Sequence, residues 1–111
     1  LNDIRVLDTE TFVWSHLRVS GSPQEHRFGH SMDVSGSDIL LFGGWSKTSG
    51  ARFKHEPTEE SCDYFMIWST DTMSWKRGKY IGNPPTSRFG HTSTAIGPHL
   101  LIFGGWEYTK A

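Results

Sequence analysis

Apolar residues along this chain come in short runs closed by turn residues, and no stretch sustains a capped helical period. Ile39 to Phe42 and Leu100 to Phe103 are continuous apolar runs between turn signals. Runs of about four such residues suit strands buried on both faces. His30 to Val34 and His91 to Ile96 predict the strands before them, joined by Ser35-Gly36-Ser37-Asp38 in one case and Gly97-Pro98 in the other. Tyr64 to Trp68, rich in aromatic and apolar side chains, predicts a third strand. A polar turn from Ser69 to Met73 follows, and a fourth strand centres on Trp75. The pattern predicts an all-β chain with four strands per unit.

The units repeat. Arg27-Phe28-Gly29-His30 returns as Arg88-Phe89-Gly90-His91, Phe42-Gly43-Gly44-Trp45 as Phe103-Gly104-Gly105-Trp106, and Trp14 as Trp75, each 61 positions on. Thr9 and Thr70, Thr11 and Thr72, Gly21 and Gly82, Pro23 and Pro84, Gly36 and Gly97, and Leu40 and Leu101 keep the same register. Three motifs locked to one offset mark a repeat architecture, in which each unit buries its faces against its neighbours.

The order Arg-Phe-Gly-His, apolar run, Gly-Gly, apolar strand, acidic or hydroxyl turn, then Trp resembles the Kelch repeat over essentially the whole chain. The resemblance implies a β-propeller built of four-stranded antiparallel blades. Residues 1–111 would then be part of a single propeller domain. Its parts would be the last two strands of a blade and a linker (1–26), a complete blade (27–76), and a linker with the first two strands of the next blade (77–111). Gly21-x-Pro23-x-x-x-Arg27 and Gly82-x-Pro84-x-x-x-Arg88 resemble the free-standing Kelch-domain proteins more than the shorter BTB-Kelch linkers. Two features depart from the pattern. Kelch units run to about 50 residues, so the longer period implies an insertion, and Leu7 stands where Trp68 keeps the family's aromatic. Propellers close with about four blades or more, so further blades are expected outside this chain.

Charge and composition narrow the functions. Eleven Lys plus Arg against twelve Asp plus Glu leave a net charge of −1, which argues against a sequence-independent grip on nucleic acid. No apolar stretch approaches the roughly 20 residues that span a bilayer. Cys62 is the only cysteine, so an intramolecular disulfide is impossible and a thiolate zinc site lacks ligands. A single reduced thiol points to a reducing compartment, and the cytoplasm is the expected location, with cytoskeletal, ciliary or nuclear association open.

Most repeated residues are expected to serve structure. Gly43-Gly44 and Gly104-Gly105 end buried strands, where glycine permits positive φ or close backbone approach. Trp14 and Trp75 are expected to be wedges between neighbouring blades. His30 and His91 occupy one repeat position with no carboxylate or thiol cluster beside them, so hydrogen-bonded inner-strand histidines are expected rather than metal ligands. Arg27 and Arg88 are expected to tie down loop carbonyls, although this end of the strand can also face a partner. No cofactor or metal is expected.

Function is then sought in what does not repeat. The segment from Ser46 to Cys62 exceeds a typical loop of about 4–6 residues. It carries Lys47, Arg52, Lys54 and His55, then Glu56, Glu59 and Glu60. The resemblance implies that this loop opens on the same face as the connection from Lys76 to Ser87, which holds Arg77, Lys79, Tyr80 and Pro84-Pro85. His16 and Arg18 are its counterpart one unit earlier. Lys47, Arg52, Lys54, His55, Glu56, Arg77, Lys79 and Tyr80 are therefore the candidate partner-binding residues. Cations beside an aromatic suit an acidic or carboxylate-bearing peptide. A self-paired, solvated loop is the other reading of its basic and acidic halves.

The expected function is a non-catalytic protein-interaction module, a scaffold or adaptor. The resemblance also allows substrate recognition for a cullin ubiquitin ligase, or cytoskeletal and axonemal scaffolding. Some Kelch-type propellers are enzymes, and these patterns are not met here. Tyr64, Tyr80 and Tyr108 show no pairing with histidine of the kind copper oxidases need. Glu59 and Asp63 have the first spacing of the plant iron-dependent specifier motif, but Ile67 stands where its histidine would be. No nucleophile elbow or zinc-protease helix is present.

Overall fold

The computed structural model describes residues 1–19, 25–46, 55–56 and 61–107, with backbone alone at 55–56 and 61–63. Strand β1 (Arg5–Leu7) pairs with β2 (Trp14–His16) in a first two-stranded sheet. The middle sheet follows. In it β3 (Phe28–Ser35) turns into β4 (Asp38–Trp45), β4 pairs with β6 (Ser61–Ser69), and β6 pairs with β7 (Ser74–Lys79), all antiparallel. A two-residue β5 (His55–Glu56) takes over from β4 along the same edge of β6, opposite Cys62 and Ser61. Strands β8 (Thr92–Ile96) and β9 (His99–Phe103) form the third sheet. The architecture is all-β and antiparallel, with blade-like sheets that do not close into a ring. Among the described residues, no helix is long and apolar enough to cross a membrane.

Each expected strand is present, most of them longer than the apolar run that marked it; β5 was not foreseen. At the 61-residue period, β1–β2 match β6–β7 and β8–β9 match β3–β4. Turn chemistry matches too. Asp8 Oδ1 accepts from the Glu10 and Thr11 backbone N–H groups, and Ser69 Oγ accepts from the Thr72 N–H at the equivalent place. Those N–H bonds hold the Asp8 carboxyl below the usual carboxylate range. Both turns put a non-glycine residue at positive φ, Phe12 at 60° and Met73 at 54°.

Side chains alternate across the middle sheet as the period of two requires. Leu41, its partner Met66, and the linked trio Ile39, Trp68 and Trp75 share one face. Trp68 and Trp75 meet edge-on with centroids 5.3 Å apart. Phe42 and its partner Phe65 share the other face. A bulge between Cys62 and Met66 breaks the alternation and lets consecutive residues Tyr64 and Phe65 both reach Phe42. Phe42 and Tyr64 are the buried core pair, with Phe65, Tyr80 and Ile102 packed around them. Burial of each such side chain stabilises the fold by about 1.5–3 kcal/mol.

The middle and third sheets meet through their inner strands, β3 and β8. The Phe42 ring stands edge-to-face on His91 at 5.3 Å. Ser31 Oγ bonds His91 Nε2 at 2.8 Å, and Ser93 Oγ donates to the Asp33 carboxylate. The Gly44 N–H donates to the Arg88 carbonyl at 2.8 Å, and the Gly90 N–H to the Gly29 carbonyl at 2.9 Å. On the opposite side, Trp75 lines the clefts that separate the middle sheet from the first. Trp75, one of the two expected wedges, thus faces the neighbouring unit across these clefts. Trp14, the other expected wedge, is 65% exposed, and no described sheet lies against it.

Candidate functional site

One end of the middle sheet gathers the starts of β3 and β6 with the finishes of β4 and β7. Arg27 stabilises this rim from beneath. It is buried, and its Nη1 donates to the Gly43 carbonyl at 3.2 Å. Arg88 repeats the bond to Gly104, also at 3.2 Å, and adds Nε to the Thr86 carbonyl. The expected tying of loop carbonyls is what both arginines do. The left-handed φ of Gly43 (72°) and Gly104 (73°) turns those carbonyls toward them.

Aromatic rings crown the rim. Phe28 and Trp45 are cross-strand partners with centroids 5.2 Å apart. Leu1, His26 and Arg27 join them around a shallow cleft of about 240 Å³. Phe89 and Trp106 repeat the pair through two backbone bonds, and Trp106 is 72% exposed. Sequence reasoning passed over these four residues as candidates because repetition assigned them to the scaffold. The available signal was position: each stands at a strand end beside a glycine motif, outside the buried runs.

The sequence candidates fall in three groups. Lys47, Arg52 and Lys54 lie outside the described residues, as does Tyr108. The backbone of His55 and Glu56 forms β5, and Lys79 pairs across the other edge of β6 with Ser61, the partner of Glu56. The loop after β4 and the connection after β7 thus leave the same end of the sheet. Arg77 and Lys79, two residues apart, lie on one face of β7 and are exposed. Tyr80 is different. Its ring is part-buried against Phe42 and Tyr64, so it anchors the connection and does not stand free on the rim. Tyr64, which the sequence placed in the third strand and left without a histidine partner for copper, adds a second anchor. Its hydroxyl donates to the Pro85 carbonyl at 2.8 Å.

Two of the described histidines, His30 and His91, have depressed pKa values. Burial, and next the charge of Arg88, hold His91 below the ordinary histidine value. Burial, then the charges of Arg27 and His91, do the same for His30. Among the described residues, no three His, Cys, Asp or Glu side chains converge on a point that would hold a metal ion.

Comparison with known proteins agrees with this geometry. A family model described as the KLHDC2/KLHL20/DRC7 Kelch-repeats domain matches residues 1–105. The chain is 36% identical to a probable serine/threonine-protein kinase of Dictyostelium discoideum, over 92% of this chain and 7% of that protein. It is 34% identical to Kelch domain-containing protein 3 of Bos taurus, over 94% of this chain and 25% of that protein. It is 30% identical to the human Rab9 effector protein with kelch motifs, over 94% of this chain and 26% of that protein. The chain thus spans about a quarter or less of these relatives.

Proposed function

The chain belongs to the Kelch-repeat family, whose units are generally protein-interaction modules, and from that premise we propose that it binds a partner protein at the rim just described. The reading is of a non-catalytic scaffold or adaptor that holds an extended, acidic or carboxylate-bearing peptide. One observation carries it: exposed Phe28 and Trp106 stand at the same end of adjacent sheets, and exposed Lys79 finishes β7 at that end, where two chain connections emerge. Trp106 supplies a large apolar contact with few rotors to immobilise, and Arg77 and Lys79 supply charge-assisted donors to carboxylates. Lys47, Arg52, Lys54, His55 and Glu56, on the adjoining connection, would extend the contact. The arginines beneath belong to the frame, since their guanidinium groups already serve Gly43 and Gly104.

Affinity capture followed by mass spectrometry tests the reading. The natural full-length protein is compared with three variants: Lys79→Glu, Trp106→Ala, and a triple reversal of Lys47, Arg52 and Lys54 to Glu. Partners should be lost with each while the melting temperature holds. A weakening of about tenfold or more, near 1.4 kcal/mol, is expected at an interface anchor. Unchanged partner lists from all three variants would remove the rim from consideration.

A further inference from the structure

The middle and third sheets meet without sharing a ladder, since β3 and β8 belong to different sheets. The bonds that cross this joint come from side chains and strand-end backbone. They run between Ser31 and His91, from Ser93 to the Asp33 carboxylate, from the Gly44 N–H to Arg88, and from the Gly90 N–H to Gly29. Two sheets held in this way can part as rigid bodies with each ladder intact.

His91 is buried in the joint, 8% exposed. Ser31 Oγ takes its Nε2 at 2.8 Å, and the Phe42 ring stands against it. Bare backbone closes another side, where a Cβ at Gly43 would lie 2.6 Å from His91 Cε1. Nδ1 is buried with no hydrogen-bond partner among the described residues. The Phe42 backbone lies near enough to favour the charged ring, but short of hydrogen-bond geometry. A neutral imidazole carries one N–H and an imidazolium carries two. A proton on His91 would therefore leave a buried, charged donor without an acceptor, which is costly.

The charges around the ring do not offset that cost. Arg88, on the segment that enters β8, acts against the proton. On β3, His30 and a charged His91 disfavour each other, and the Asp33 carboxylate is already engaged by Ser93. Arg27 adds a further cation at the Gly43 carbonyl. From β4 come Phe42, Gly43 and Gly44, which have no titratable side chain.

We propose that His91 is a proton-operated latch: its neutral ring holds the two units together, and its protonation parts them. The joined form excludes the proton, while the parted form, with the ring in water, accepts it, so falling pH favours parting. The latch also bears on the rim. Phe28 and Trp45 ride on the middle sheet, and Phe89 and Trp106 on the third, so parting moves the two aromatic pairs out of alignment. That consequence rests on the partner-binding reading above; the latch itself does not.

Hydrogen exchange followed by mass spectrometry tests the latch in the natural full-length protein. Rates are compared at about pH 7.5 and 5.5, on either side of the ordinary histidine value, after correction for intrinsic exchange. Peptides that contain Gly44 and Gly90 should exchange several-fold faster in acid, and by no more than about tenfold per pH unit, the limit for one proton. Peptides of the β6–β7 ladder around Met66 and Arg77 should keep their rates, which separates parting from unfolding. His91→Gln should abolish the acid response, whereas His99→Gln, at an exposed histidine that starts β9, should keep it. Equal corrected rates at both pH values in the unaltered protein would overturn the proposal whatever the variants do. So would ladder peptides that accelerate in step, or an acid response that survives His91→Gln. Partners captured by the unaltered protein should be released in acid and retained by His91→Gln. Retention by both, with the amides responding, would remove the control of the rim. A protein that captures no partner at either pH would count against the partner-binding reading alone.

Discussion

Ser31 Oγ and His91 Nε2 stand 2.8 Å apart, which bonds the inner strand of one unit to the inner strand of the next. Burial and the Arg88 charge hold His91 below its ordinary 6.5, and His30 shifts the same way. The unfolded chain therefore binds protons first as pH falls, and stability is lost from about pH 6.5 downward until the folded histidines titrate. Melting temperatures should be level above about pH 7 and decline on the acid side. His91→Gln keeps a polar partner for Ser31 and should flatten that decline. An acid limb unchanged in the variant would place the titration elsewhere.

Gly43 and Gly104 share one backbone conformation but not one environment. A Cβ at Gly43 would overlap the Arg88 carbonyl and lie 2.6 Å from His91 Cε1, while nothing lies within 4 Å of one at Gly104. Alanine at either site meets the strain of positive φ, about 1–3 kcal/mol. Gly43→Ala adds an overpacking cost of about 1–3 kcal/mol. Denaturant titration should show Gly43→Ala as the more damaging by that margin, and equal costs would mean that the two sheets do not pack as described.

Trp75 and Trp14 should part in the same way. Trp75→Ala opens the boundary with the first sheet and removes the ring that meets Trp68, at a cost near the lower end of the usual 3–5 kcal/mol. Trp14→Ala, at an exposed ring, should stay within about 0.5 kcal/mol of the unaltered chain. Thermal melts of the two variants decide this directly.

Phe12 and Met73 hold positive φ without being glycine. Phe12 is exposed, so its ring adds little packing. Left-handed backbone costs an ordinary residue about 1–2 kcal/mol, and asparagine tolerates it better. Phe12→Asn should therefore stabilise the chain by roughly 1 kcal/mol, seen as a higher melting temperature. A fall would show that the ring has a packing role.

Much of this was legible in the sequence because a repeat writes its own register. The strands around Leu41, Met66 and Leu101, the turns at Gly36 and Gly97, and the paired duties of Arg27 and Arg88 all follow from the offset and the residue types. What escaped depends on contacts between distant strands. The bulge that brings Tyr64 beside Phe42, the Tyr64 bond to Pro85 and the inward turn of Tyr80 leave no periodic trace. Trp14 and Trp75 are identical as letters, and only the presence of a sheet against one of them separates their roles. The same logic hid the rim aromatics. Phe28, Trp45, Phe89 and Trp106 repeat like scaffold residues, yet Phe28 and Trp106 stand exposed at the rim.

The bond from the Gly44 N–H to the Arg88 carbonyl also has a temporal side. The corner that ends β4 is secured by a residue of the following unit, which leaves the ribosome later. At ordinary translation rates of about 5–20 residues per second, that wait lasts on the order of 2–9 s. Through that interval the Phe42 face has no His91 to cover it, and it is open to chaperones or to a neighbouring nascent chain. Synonymous codons that slow synthesis between Gly44 and Arg88 would prolong that exposure without altering a single side chain.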